Sequence, residues 1–335
     1  MIHTFTITRA ISTGQIRAAD CFTDADINLL LQRKKNKITA QPYRYIGINE
    51  ISIKKCGDIY RISVTVNPQS LIMQRNTISL YDCQPATLPT LIDQFREWMS
   101  TAQLIGLPVI TEWIATRVDY AIDVNTNSVR HYVALAKAQN RPAWYFDRID
   151  LPGSAYPESK SVTINFYDKE DQIQRKMVNV VDYSRLLGEA ANIFRLEVQC
   201  RSVKLKGLQR KYQQRNDLRI ANFLRRDIAT DVIVGYYKSI MGYQDFHSQA
   251  HAEQTVNSHD GFGSAKKRNF LRYINRFTDF DTLHDAKRSF IEEHGNSSWY
   301  SLVRASRDAN VNPLLIPDNW GVDYLPNPLP ASLRI

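Results

Sequence analysis

The sequence predicts an α+β protein: an antiparallel sheet built from two similar strand–strand–helix–strand units, followed by a helical C-terminal region. Three observations carry that prediction. Up to Arg201 the chain is dominated by segments in which apolar and polar residues alternate, the period of a half-buried strand. The order strand, strand, helix, strand occurs twice in that part. After Val203 the alternation stops, and apolar residues recur at helical spacing. A chain of 335 residues with 43% hydrophobic content can bury a sizeable core. The expected division is an α+β domain over 1–201, a basic helical region over 202–312 and an extended Pro-rich tail over 313–335.

Residues 3–9 alternate as a first strand, and residues 24–35 read as a short helix capped by Thr23, with Leu29, Leu30 and Leu31 turned to the core. Residues 43–54 and 59–66 are strands of a hairpin turning at Cys56-Gly57-Asp58. Asn67-Pro68 ends it, because proline cannot donate to a ladder. Residues 89–104 carry a helical stripe of Leu91, Ile92, Phe95, Trp98 and Met99, broken by Gly106-Leu107-Pro108. A strand over 116–124 closes the first round. The second round is a helix over 128–138, strands over 144–149 and 161–167, a helix over 181–191 and a strand over 193–200. Helices are then expected over 218–228, 230–241, 266–277, 283–294 and 297–309. Residues 246–264 lack periodicity and read as a loop or linker, and 313–330, rich in Pro and Asn, as a tail lying extended over the surface.

Net charge is 43 − 34 = +9, and it is localised. Between Arg201 and Arg276 there are 15 Lys/Arg and 6 Asp/Glu, a surplus of 9 that equals the whole chain's. A localised surplus points to a polyanionic partner, nucleic acid before membrane surface, although a solvated lysine-rich helix face has the same composition. No run of about 18 apolar residues exists to span a membrane, and the first residues lack the apolar stretch of a signal peptide. Cys21, Cys56, Cys83 and Cys200 are scattered with no Cys-x-x-Cys pair, the usage of a reducing cytoplasm.

Three strands put unusual residues on one face. Arg117, Asp119, Ala121 and Asp123 share a side of the first. Thr163, Asn165, Tyr167 and Lys169 share a side of the second, and Arg195, Glu197, Gln199 and Arg201 a side of the third. Strands disfavour Asp, so a compensating cation is expected: Asp119, Asp123 and Glu197, with Asp168 and Glu170 as possible additions, are hard oxygen donors suited to Mg²⁺ or Mn²⁺. The other reading is that Asp119 and Glu197 pair with Arg117 and Arg195 as cross-strand salt bridges. Tyr183, opening a helix just before the Glu197 strand, is the candidate nucleophile, with Arg185 toward the phosphate. Tyr167 is the alternative, and Lys169 and Arg195 complete the catalytic set. A tyrosyl oxygen suits phosphodiester cleavage because the covalent link conserves the bond energy for rejoining. Two basic rows would track a phosphate backbone: Arg201, Lys204, Lys206, Arg210, Lys211, Arg215 and Arg219, then Lys266, Lys267, Arg268, Arg272 and Arg276 interleaved with Phe270, Tyr273 and Phe277.

Arg-Val-Asp-Tyr-Ala-Ile-Asp (117–123), Asn-Phe-Tyr-Asp-Lys-Glu-Asp (165–171) and Phe-Arg-Leu-Glu-Val-Gln-Cys-Arg (194–201) resemble, in this order and spacing, the replication initiators of filamentous bacteriophages, the gene II/X family. More distantly they resemble plasmid initiators of the Rep_trans type. Val66-Asn67-Pro68-Gln69-Ser70-Leu71, Asn296 to Val303 and Asn312-Pro313 extend the similarity nearly end to end. The resemblance implies rolling-circle initiation in a bacterial cytoplasm. A tyrosine nicks one strand of a supercoiled origin with Mg²⁺, stays linked to the 5′ phosphate, and later rejoins the displaced single strand, with host helicase and polymerase as partners. The family's nucleophile lies between the Tyr-Asp-Lys and Arg-x-Glu strands, an interval in which Tyr183 is the only tyrosine. A mobilisation relaxase and a non-catalytic origin-binding protein are the alternatives. A relaxase would carry a His cluster, whereas His247 and His251 stand four apart in an unpatterned stretch. No phosphate-binding Gly-rich loop is present, so ATP hydrolysis is not expected.

Overall fold

The computed structural model describes residues 1–139, 146–147, 153–177, 180, 182–212 and 217–333. The strands are β1 (Ile2–Ile11), β2 (Lys37–Ala40), β3 (Ile48–Cys56), β4 (Ile59–Val66), β5 (Ile114–Asn125), β6 (Phe146–Asp147), β7 (Ser154–Ala155), β8 (Pro157–Glu158), β9 (Val162–Asp168), β10 (Ile193–Arg201), β11 (Phe246–His247) and β12 (Tyr324–Leu325). The helices are α1 (Thr13–Ala18), α2 (Asp24–Leu31), α3 (Pro68–Met73), α4 (Leu88–Thr101), α5 (Val129–Ala138), α6 (Lys169–Lys176), α7 (Tyr183–Ala190), α8 (Ser202–Lys211), α9 (Arg226–Met241), α10 (Gln249–Asn257), α11 (Ser264–Phe277) and α12 (Leu283–Ala309). The expected strand over 144–149 and the helix start at Val181 lie partly outside the described residues, and Arg215 wholly so.

The expected α+β class is what the chain forms. A large antiparallel sheet runs in the order β2-β3-β4-β1-β5-β10-β9-β8-β6, with β7 paired to β9. The strands of the three motifs, β5, β10 and β9, are consecutive neighbours. In the second round β9 lies beside β10, but in the first β1 separates β4 from β5. The apolar face carries the main core. Val118, Tyr120, Leu196, Val198, Ile164 and Phe166 are buried there, against α5 and α9, with Phe166 stacked on Phe194 and edge-on to Tyr237. Each such side chain contributes roughly 1.5–3 kcal/mol by leaving water. A second core is closed by α10, α11 and α12 around Phe270, Ile274, Phe277, Phe290 and Trp299. Helix α12 is interrupted at Gly295 (φ 80°), so it acts as the two expected helices.

Three expectations change. Residues 218–228 are not one helix. The Leu218 carbonyl accepts from Ala115, and Ile220 N–H donates to Trp113, so this segment extends the β5 end and is left with a single tight turn at Ile220–Asn222 before α9 starts at Arg226. Residues 246–264 are not a plain linker. They hold β11 and α10, which is capped by Ser248 and buries Ala252 and Val256. The tail is not merely laid over the surface: β12 pairs with β11, and Leu325, Asn327 and Leu329 are buried. Among the described residues, no helix is long and apolar enough to cross a membrane.

Candidate functional site

The polar face of β5, β10 and β9 brings Asp119, Asp123, Arg195, Glu197 and Tyr167 together, with Lys169 at the first position of α6 beside them. Register explains the grouping: Asp123 faces Arg195, Ala121 faces Glu197, Glu197 faces Asn165, and Arg195 faces Tyr167. Glu197 is the hub. Its Oε2 lies 2.7 Å from His3 Nδ1 and accepts the Tyr167 hydroxyl at 3.1 Å. Its Oε1 accepts Gln199 at 2.9 Å and Asn165 at 3.5 Å. His3 comes from β1, two strands away, and was missed in the sequence reading. A bulge between Ile2 and Thr4 aims it, and Ala121, the smallest residue on this face of β5, leaves the passage open.

The two aspartates are held by arginines. Arg117 grips Asp119 with Nε at 2.7 Å and Nη2 at 2.5 Å, and the Thr4 hydroxyl donates to the same carboxylate. Arg195, fully buried, grips Asp123 at 2.5 and 2.7 Å and donates to the Ile78 carbonyl. Burial raises the Asp119 carboxyl above its ordinary value, against the pull of Arg117. Burial acts the same way on Glu197, but His3, Gln199 and Arg195 outweigh it and hold that carboxyl well below the carboxylate range. The like charge of Glu197 adds to the rise at Asp119, so of this pair Glu197 carries the negative charge more firmly. Desolvation lowers Lys169 well below 10.5 and lifts the Tyr167 phenol well above 10.0. It also lowers His3 in spite of Glu197. With Nδ1–H directed at Glu197, its Nε2 is the basic atom, and Nε2 has no protein partner among the described residues.

The two aspartates expected to bind a metal stand apart. Asp119 and Asp123 are four residues apart on one strand, ~13 Å along it, and each is closed by an arginine. Among the described residues no three His, Cys, Asp or Glu side chains converge to hold an ion. Asp168 is used as the N-cap of α6, accepting from Glu170 and Asp171 N–H, and Glu170 accepts from Gln174. Two buried atoms at the hub are left without partners: Arg195 Nη1, a donor, and Asn165 Oδ1, an acceptor.

Tyr183 opens α7 as expected and is half-buried against the Ile78, Ile173 and Leu186 cluster, with no hydrogen bond to the hub. Its neighbour Arg185 is spent on Glu189, Asp182 and the Asn76 carbonyl. Tyr167 is in the hub but only 2% exposed. Of the basic residues, Arg201 pairs with Glu158 and Lys211 with Asp231, while Lys204 lies over the Tyr236 ring. Lys206 and Arg210 point to solvent. On α11, Lys266 pairs with Asp308 and Lys267 donates to the Asn257 carbonyl; Arg268 is exposed. No family model matches the chain, and no curated protein or solved structure matches it significantly.

Proposed function

We propose that the chain is a rolling-circle initiator, a transesterase that nicks and rejoins one DNA strand through a tyrosine. One observation carries the reading. Arg195 Nη1 and Asn165 Oδ1 are buried and unpartnered on the polar face of β10 and β9, and a buried polar atom without a partner costs about 1–3 kcal/mol. A ligand that both accepts and donates would satisfy them, and a DNA strand has that chemistry, a phosphate oxygen accepting from Arg195 and a base amino group donating to Asn165. The basic α8 and α11 support a polyanionic substrate, and the motif order along β5, β9 and β10 supports the phage-initiator type.

In this reaction the tyrosyl oxygen attacks phosphorus, the P–O3′ bond breaks, and the leaving 3′ oxygen takes a proton. The phenol's own proton passes to His3 Nε2, whose imidazolium Glu197 stabilises. Arg195, always charged, neutralises the phosphoryl oxygens. Tyr183, half-buried where Tyr167 is 2% exposed, is the preferred nucleophile. The test is a supercoiled plasmid bearing the cognate origin, incubated with protein and Mg²⁺. A covalent 5′-phosphotyrosyl adduct that is absent in Tyr183→Phe is expected. An adduct lost in Tyr167→Phe but kept in Tyr183→Phe transfers the role. Absence of nicking by the wild type favours a non-catalytic origin-binding protein, a reading that the arginine-closed Asp119 and Asp123 also suit.

A further inference from the structure

Three cations stand side by side across the outer sheet. Lys37 on β2 faces Lys54 on β3, and Lys54 faces Arg61 on β4. Like charges directly opposite destabilise a strand pair, and neighbouring strands are only ~4.8 Å apart. Lys37 is eased by Glu50 at 3.5 Å. Lys54 and Arg61 have no ion pair among the described residues, and all three are exposed. One register step inward, Thr39, Ser52, Ser63 and Thr8 face one another in turn across β2, β3, β4 and β1. This second row is hydroxyls alone, a low floor beside the cation row. The next step runs from Glu50, held by Lys37, through Thr65 and Thr6 to Arg117, and Thr4 then meets Asp119 at the hub. Ile59, on the same face as Arg61, is 46% exposed.

We propose that this half of the sheet is a track for single-stranded nucleic acid, with phosphates on Lys54 and Arg61 and sugars and bases over the hydroxyl floor. The two cations without an ion pair among the described residues, Lys54 and Arg61, give the charge complementarity. Ser52 and Thr8 are buried, so the hydroxyls that reach a strand are those of Thr39 and Ser63, which bond without regard to sequence, and Ile59 is an apolar seat for a base. A single strand is the occupant, not a duplex, because the hub it leads to is nearly closed: Arg195 is 0% and Glu197 4% exposed. Only a thin, flexible chain brings a phosphate there. The track rests on the nicking reading for its destination, but binding is measured independently of cleavage.

The experiment is fluorescence anisotropy with a short, labelled single-stranded oligonucleotide of mixed sequence, in a salt series, comparing wild type with Lys54→Ala/Arg61→Ala. Both sites are exposed, and thermal melts by circular dichroism confirm that the variant folds. The slope of log K against log salt should fall by about 1.4, two contacts at ~0.7 each for single strands, with affinity down roughly tenfold. Lys54→Glu/Arg61→Glu should weaken binding further. Unchanged affinity and slope, no single-strand binding by the wild type, or an equal loss for a duplex of the same sequence each overturns the track. Loss of single-strand binding in a protein that never nicks supports the track and sinks the nicking reading. Nicking with unaltered binding does the reverse.

Discussion

At the scale of single residues, the hub buries the Lys169 amine. Lys169 is 4% exposed and has Gln172 as its hydrogen-bond partner at 2.7 Å. Lys169→Met keeps the volume and removes the desolvated amine. At neutral pH it is expected to stabilise the fold, on the order of 1–4 kcal/mol, as when buried charges give way to packed apolar groups, while abolishing nicking. Because the fold holds this amine well below 10.5, the unfolded chain binds the extra proton between the two values, and wild-type stability rises with pH there. The gap between variant and wild type should therefore narrow as pH climbs toward 10.5, in urea titrations at several pH values. A gap that is absent or constant would place the lysine in a charged, compensated state. Asp119, Glu197, Tyr167 and Arg195 were legible because their strands alternate cleanly. His3 was not, since a bulge and the small Ala121 aim it across two strands, and neither is visible in a pattern of polar and apolar letters.

Among the elements, the long strands and the striped helices could be read, together with the short α2 and α7, while α6 and α10 could not. Helix α6 has Ile173 as its one buried apolar residue and α10 has Ala252 and Val256, too few to show a period. What ordered them is capping by Asp168 and Ser248. The placement of β1 between β4 and β5 was also hidden, because pairing partners far apart in sequence leave no local trace. A second hidden constraint is Gly47, at φ 94°, where an added Cβ would come within 2.6 Å of Leu71 N and 2.7 Å of the Asn67 carbonyl. Those atoms begin α3, and Asn67 N–H donates to the Gly47 carbonyl at 2.7 Å. Gly47→Ala should lower the unfolding free energy by at least ~1–3 kcal/mol, seen as a lower urea midpoint with an unchanged m-value. A midpoint within error of wild type would mean that the β3–α3 junction yields easily.

For the whole molecule, the join between the two cores is polar and sensitive to acid. His247 Nε2 lies 3.2 Å from the Asn310 carbonyl and its Nδ1 3.1 Å from His251 Nδ1. Nearby, Tyr324 donates to Asp245, while Ser248 donates to Asp323. With Nε2–H given to the carbonyl, a neutral His247 must accept from His251, and a second proton on His247 breaks that bond. Burial lowers His247 below 6.5, with Asn310 and Asp245 opposing and His251 assisting. A depressed histidine stabilises the fold above its unfolded value and loses that contribution as pH falls through 6.5 toward the folded one. Urea titrations between pH 7.5 and pH 5 should show falling stability, with His247→Asn flattening the slope by up to ~1.4 kcal/mol per pH unit, one proton's worth. An unchanged slope assigns it to His3, depressed in the same way. The His3–Glu197 contact joins residues 194 apart in sequence, and contacts so distant form late and slowly. A chain severed between β1 and β5 holds every motif strand but not the His3–Glu197 contact. Glu197 therefore gains its imidazole partner only when the first and the tenth strand stand in one sheet.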